Sequence, residues 1–219
     1  MYIQILMVAL DATILTFMSI NKDDLNPVVD TLQMKALLGN TSDKRGKIAR
    51  MIRSGDLFPL RRGLYTTRRG LNPLGLAASI YGPSYISFET ALSYYGLIPE
   101  AAYEVTSATL KRPAEFQNVF GRFHYRRIPE NVYSIGIERV TESGLPFLIA
   151  SPTKAVCDRI ALEARMRSMS DVKRWAELMR LDEATEFDSA ILHACAENYQ
   201  RPAVRFLQRT VEKYGRILP

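Results

Sequence analysis

The sequence predicts an α+β protein built in two parts. Three observations carry this. From Gly39 to Gly70 the text GNTSDKRGKIARMIRSGDLFPLRRGLYTTRRG reads as a helix followed by a short basic hairpin. Strand-like text then occupies about 103–150, and helical text about 152–214. Composition shifts after Asn72-Pro73, so the expected parts are residues 1–70 and 71–219. At 219 residues and 47% hydrophobic content, the chain has ample material for two cores.

Residues 2–20, YIQILMVALDATILTFMSI, are nearly all apolar and read as a packed helix. They lack the basic flank and small-residue cleavage site of a signal peptide, and Asp11 would be costly in a bilayer. Translation starting at Met7 or Met18 is the other reading of this stretch, and the expected location is the cytoplasm. Pro27 can open a second helix at its first turn, with Val28, Val29, Leu32, Met34, Leu37 and Leu38 as its apolar stripe and Gly39 as its stop. Thr41 or Ser42 can cap the next helix, with Asp43 in its positive first turn. That helix runs to about Ser54, turns Ile48, Met51 and Ile52 inward and ends at Gly55.

Leu57–Leu60, the turn Arg61-Arg62-Gly63 and Leu64–Thr67 form a hairpin. Gly63 permits positive φ, and Pro59, which cannot donate to a ladder, marks an edge strand. Helix, turn, helix, hairpin is the order of a winged helix-turn-helix. A mixed α/β domain with a C-terminal helical region then follows. Its expected elements are helices at Leu74–Ile80 and Phe88–Tyr95 and strands at Tyr103–Thr109, Val119–Ile128 and Val132–Thr141. Leu145–Ala150 is a buried strand, and helices follow at about 152–167, 170–180, 185–199 and 202–214. Phe123 and Tyr125 alternate with Arg122, His124 and Arg126, the period of a half-buried strand.

The basic stretch holds the chain's charge. Lys44, Arg45, Lys47, Arg50, Arg53, Arg61, Arg62, Arg68 and Arg69 face only Asp43 and Asp56, a net +7 against +6 for the whole chain. Such a concentration points to a polyanion. Lys44, Lys47 and Arg50, at steps of three, can line one helix face. In a major groove the first turns would meet base edges, so Thr41, Ser42, Lys44, Arg45 and Lys47 are the candidate readers. Arg50 and Arg53 would hold phosphate, as would Arg61 and Arg62 at the hairpin tip, with Tyr65 beneath it or on the backbone. A solvated basic face, or a module whose basic face meets RNA or an acidic protein, is the competing reading.

Catalytic signals are thin, and the expectation is a protein that is not an enzyme and uses no cofactor. Glu89, Glu100, Glu104 and Asp158 are scattered without metal-ligand spacing, and no nucleotide-binding or H-E-x-x-H motif occurs. Cys157 and Cys195 read as half-buried thiols of a reducing compartment. His124 reads as a surface or interface group, and His193 as a core or interface one. Seven tyrosines, Tyr81, Tyr85, Tyr94, Tyr95, Tyr103, Tyr125 and Tyr133, fall within about fifty residues and either fill a mixed core or line an interface.

Four segments, IRSGDLFPLRRGLYTT, IYGPSYISFETALSYYGLIPEAAYEVTSAT, FGRFHYRRI and LIASPTKAVCDRI, resemble the AbiEi family of antitoxins and transcriptional regulators of type IV toxin–antitoxin systems. The resemblance covers roughly residues 35–165 in the family's order. It implies an N-terminal winged helix that binds inverted repeats in its own promoter and represses the operon. It also implies a C-terminal region that counteracts a nucleotidyltransferase-like toxin without needing a stable complex with it. No catalytic role is carried over. The text before Leu37 departs from the family pattern, and orphan regulators without a toxin belong to the same picture.

Overall fold

The computed structural model describes residues 27–40, 42–142 and 145–217. The expected helix within residues 2–20 lies outside them. The protein is mixed α+β and divides into two compact units at Arg69/Gly70.

Unit 1 holds β1 (Val28–Asp30), α1 (Thr31–Leu37), α2 (Lys44–Ser54), β2 (Phe58–Arg61) and β3 (Leu64–Thr66), its sheet ordered β1-β3-β2 and antiparallel throughout. Pro27 does not open a helix. The β-branched pair Val28-Val29 is drawn into the sheet opposite Thr66 and Tyr65, and α1 waits for Asp30. Asp30 Oδ1 accepts from the Gln33 N–H at 2.8 Å while its own N–H donates to Gln33 Oε1 at 2.9 Å, a reciprocal cap that fixes the start. The expected stripe is narrower than six residues: Met34 is buried, but Leu32 and Leu37 stand out in solvent. Met34, Ile48 and Leu57 form the centre of the core, with Val29, Leu38, Met51, Ile52 and Tyr65 packed around it.

β2 and β3 close a hairpin in which Arg61 pairs with Leu64, leaving Arg62-Gly63 as the loop. Gly63 has φ +80°, and its carbonyl accepts from both the N–H and the Oγ1 of Thr31, at 2.9 and 3.2 Å. A Cβ there would crowd Thr31 Oγ1 at 3.1 Å. The hairpin tip is therefore anchored to the start of α1.

Unit 2 is built on a six-stranded mixed sheet ordered β6-β7-β5-β4-β9-β8. Its strands are β4 (Ser84–Ile86), β5 (Val105–Thr109), β6 (Ala114–Asn118), β7 (Gly121–Arg127), β8 (Ile137–Glu142) and β9 (Leu145–Ala150). The pairs β4·β9 and β5·β7 are parallel and the others antiparallel. The helices are α3 (Pro73–Ile80), α4 (Phe88–Tyr94), α5 (Glu130–Tyr133), α6 (Pro152–Ile160), α7 (Met169–Leu178), α8 (Ser189–Tyr199) and α9 (Pro202–Tyr214). α3 packs on β4, β5 and β9; α4 packs on α6; and α9 lies against α6, α7 and α8.

Several expected elements change: the helix expected at about 152–167 ends at Ile160, that at 185–199 starts at Ser189, and the strand at Tyr103–Thr109 starts at Val105. The strand placed at Val119–Ile128 begins at Gly121 and is the second arm of a hairpin whose first arm is β6. The strand placed at Val132–Thr141 starts only at Ile137, because Glu130–Tyr133 takes a helical turn that buries Val132. β9 is interior to the sheet but not buried on both faces, since Phe147 and Ile149 are covered while Pro146 and Leu148 are exposed.

Candidate nucleic-acid interface

The basic segment becomes a helix and a hairpin tip within unit 1. Asp43, not Thr41 or Ser42, caps α2: its Oδ1 accepts from the Gly46 N–H at 2.8 Å. Gly46 is glycine for that reason, because a Cβ there would lie 1.9 Å from Asp43 Oδ2. Gly55 ends the helix at φ +79°.

Which face of α2 looks outward follows from Ile48, the residue it buries. Arg45, Ala49 and Arg53 recur at steps of four and, with Arg50 beside them, are the exposed side. Lys44 stands one turn before Ile48 and, like Lys47, is half-buried. The expected Lys44–Lys47–Arg50 face is therefore split, and the outward row is arginine.

Arg61 and Arg62 are exposed at the hairpin, and Ser42 is exposed ahead of α2; Thr41 lies outside the described residues. Tyr65 is half-buried and packs on the Met34–Ile48–Leu57 cluster, so most of its ring belongs to the core. Among the described residues, none of Lys44, Arg45, Lys47, Arg50, Arg53, Arg61 and Arg62 forms a salt bridge. Arg69 covers the ring of Phe58, 5.5 Å from its centroid. Those seven cations of α2 and the hairpin thus stand without a salt bridge to any described carboxylate.

The ion pairs of the described residues lie in unit 2. At its centre is Asp158, wholly buried, whose carboxylate accepts four hydrogen bonds. Lys154 Nζ and the Tyr199 hydroxyl (2.6 Å) donate to Oδ1, and the hydroxyls of Tyr85 (2.8 Å) and Ser87 (2.6 Å) donate to Oδ2. Lys154 is equally buried and lies over the rings of Tyr199 and Tyr85, 4.9 and 5.8 Å from their centroids. Burial first, and then the negative charge of Asp158, hold both phenols well above their ordinary range, so they remain donors. Ser87 gives its hydroxyl to Asp158 and leaves α4 without a side-chain cap; the next residue, buried Phe88, is held at φ +55°.

The sequence treats Asp158 as a scattered carboxylate and passes over Lys154 and Tyr199. The available signal was the Lys-to-Asp spacing of four inside the apolar run TKAVCDRI, since two charges on the inner side of one helix must pair. Cys157 and Cys195 are both free, and both are buried rather than half-buried. The hydrogen bond to Cys195, together with burial, keeps the Cys157 thiol well above its ordinary range. His193 is exposed beside Gln208 rather than in a core.

A shallow cleft of about 250 Å³ is lined by Glu89, Tyr103, Glu104, Thr106, His124 and Arg126, among others. His124 sits between Glu104 (3.7 Å) and Glu115 (3.6 Å), while Glu89 is engaged by Arg159 at 2.7 Å. No group of three or more His, Cys, Asp or Glu side chains among the described residues is placed to hold a metal ion. Of the seven tyrosines, Tyr85 and Tyr125 are core, whereas Tyr103 is almost fully exposed. No described helix is long and apolar enough to cross a membrane. Compared with protein-family models and with curated proteins, the chain matches none.

Proposed function

We propose that this chain is a DNA-binding transcriptional autorepressor and antitoxin of the AbiEi kind. In this reading unit 1 acts as a winged helix-turn-helix, with α2 as the recognition helix and the β2–β3 hairpin as the wing. The observation that carries it is the basic surface of unit 1: an outward arginine row on α2 and a second pair of arginines at a hairpin tip anchored to α1, none of them in a salt bridge with a described carboxylate. A helix and a ribbon presenting cations in this order suit a major groove and the adjoining phosphates.

Unit 2 supports the reading in a different way. Two of the segments that carry the AbiEi resemblance, IYGPSYISFET and SPTKAVCDRI, meet in one buried network, Tyr85 and Ser87 from the first and Lys154 and Asp158 from the second. Their unusual residues thus have a joint structural use. The proposal gives unit 2 the antitoxin role, opposing a nucleotidyltransferase-like toxin, and gives the chain no catalytic step. The ligand of unit 1 is promoter DNA with inverted repeats, and the compartment is the cytoplasm.

A gel shift with the chain's own upstream region and with a shuffled duplex of equal length tests this. The expected result is tighter binding to the native duplex, weakening steeply as salt rises. Equal binding of both duplexes at every salt concentration would favour a general polyanion module instead.

A further inference from the structure

The cleft beside Tyr103 in unit 2 is lined by two ionisable groups that the protein leaves incompletely paired. Glu89 Oε1 meets Arg159 Nε at 2.7 Å, but Glu89 Oε2 is out of contact with solvent and has no hydrogen-bond partner among the described residues. Arg126 is in the same condition. Its Nε is dry and unpartnered, its guanidinium enters no salt bridge, and it lies over the Phe88 ring at 5.7 Å from the centroid. Both residues line the one cleft of about 250 Å³. A polar atom kept from water without a partner costs free energy, and more so in an ionised group, so such atoms are few in folded proteins. The backbone adds a cost at the same place: Phe88, next to Glu89, is held at φ +55° without being glycine.

The charges select the ligand. Glu89 and Glu104, the latter shared with Arg122 and His124, oppose a phosphate, while Arg126 opposes a polyamine. A ligand that satisfies both signs carries a cationic donor and an anionic acceptor close together. An α-amino acid holds both on one carbon. The volume agrees, since it falls below the range of about 300–1,000 Å³ that drug-sized ligands occupy. Tyr103, 96% exposed, offers its ring to the ligand's side chain.

We propose that this cleft binds a free α-amino acid, its ammonium against the Glu89 carboxylate and its carboxylate against the Arg126 guanidinium. Unit 2 then carries a small-molecule site beyond the proposed antitoxin role.

Isothermal titration of the full chain with each common protein amino acid, singly and at up to about 10 mM, tests this, with inorganic phosphate and spermidine for comparison. The expected result is binding of at least one free amino acid. Acetylating its amine or amidating its carboxylate should each weaken binding about tenfold or more, as should Glu89→Gln and Arg126→Gln. Arg126→Lys keeps the charge and should lose less than Arg126→Gln. Glu89→Gln also strips Arg159 of a partner, so every variant is checked for an unchanged circular dichroism spectrum and melting midpoint; where one unfolds, the acetylated and amidated ligands on wild type decide. The inference is overturned by no binding of any amino acid, by equal binding of either derivative, by tighter binding of phosphate or spermidine, or by wild-type affinity in folded Arg126→Gln. The titration contains no DNA, so its outcome is separate from that of the proposed promoter binding.

Discussion

Asp158 is the residue on which unit 2 depends most. One carboxylate satisfies an ammonium and three hydroxyls from β4, the β4–α4 junction, α6 and α8, all out of contact with water. Removing it leaves Lys154 charged and buried without a counterion, which costs roughly 3–5 kcal/mol. Asp158→Ala should therefore unfold at a much lower denaturant concentration, as followed by circular dichroism, and a midpoint close to wild type would contradict the network. The phenols add a pH dependence. Tyr85 and Tyr199 ionise near the ordinary phenol value of about 10 when unfolded and well above it when folded. Above that pH the native state binds more protons than the unfolded state, so stability is complete below it and falls as pH rises, by up to about 1.4 kcal/mol per pH unit for each tyrosine. Urea midpoints measured from pH 9 to 11 should decline, and decline less steeply in Tyr199→Phe. None of this was legible as a site, because the partners come from positions 85, 87, 154, 158 and 199 and only the i, i+4 pair is local.

Helices and strands were legible where the signal is short-range and missed where a long-range partner decides. The end of α2 at Gly55 and the hairpin glycine at Gly63 follow from positive φ, a local demand. β1 was not visible, since Val28-Val29 becomes a strand only by pairing with β3. β6 was overlooked although Ala114, Phe116 and Asn118 alternate with Glu115 and Gln117, because none of the five is strongly apolar except Phe116. Val119 drew the neighbouring strand too early; it is apolar but exposed, in the turn between β6 and β7. The start of α2 lends itself to a double-mutant cycle. Alanine for glycine in a helix usually gains about 1 kcal/mol, but at Gly46 it displaces the Asp43 cap, worth about 0.5–2 kcal/mol. Gly46→Ala should bring no gain in wild type and the usual gain in an Asp43→Ala background, read from urea unfolding. A gain in both backgrounds would mean that Asp43 does not cap the helix. On the proposed DNA-binding reading, the outward row also ranks the basic residues. Arg45→Gln/Arg53→Gln should weaken binding more than Lys44→Gln/Lys47→Gln, by fluorescence anisotropy on a labelled duplex, because the two lysines are half-buried beside Ile48.

For the whole molecule, the distribution of charge matters more than its sum. Among the described residues, Lys44, Arg45, Lys47, Arg50, Arg53, Arg61 and Arg62 of unit 1 form no salt bridge, whereas unit 2 uses several of its charges internally, in the Lys154–Asp158 pair and the Glu89–Arg159–Glu163 ladder. Two units with such different electrostatics suit different tasks, one outward toward a polyanion and one organised around a buried network. The proposed division into a DNA-reading unit and an antitoxin unit follows that contrast. It stands or falls on whether the basic surface of unit 1 holds the chain on its own promoter. The most direct measurement is the affinity of the full chain for its upstream duplex from 50 to 200 mM salt, for wild type and for a variant carrying Arg45→Gln, Arg53→Gln, Arg61→Ala and Arg62→Ala. Wild type should show steep salt dependence and the variant a slope shallower by about 3.6, with native-sequence preference diminished. Binding by the folded variant with the wild-type slope and the wild-type preference would contradict it.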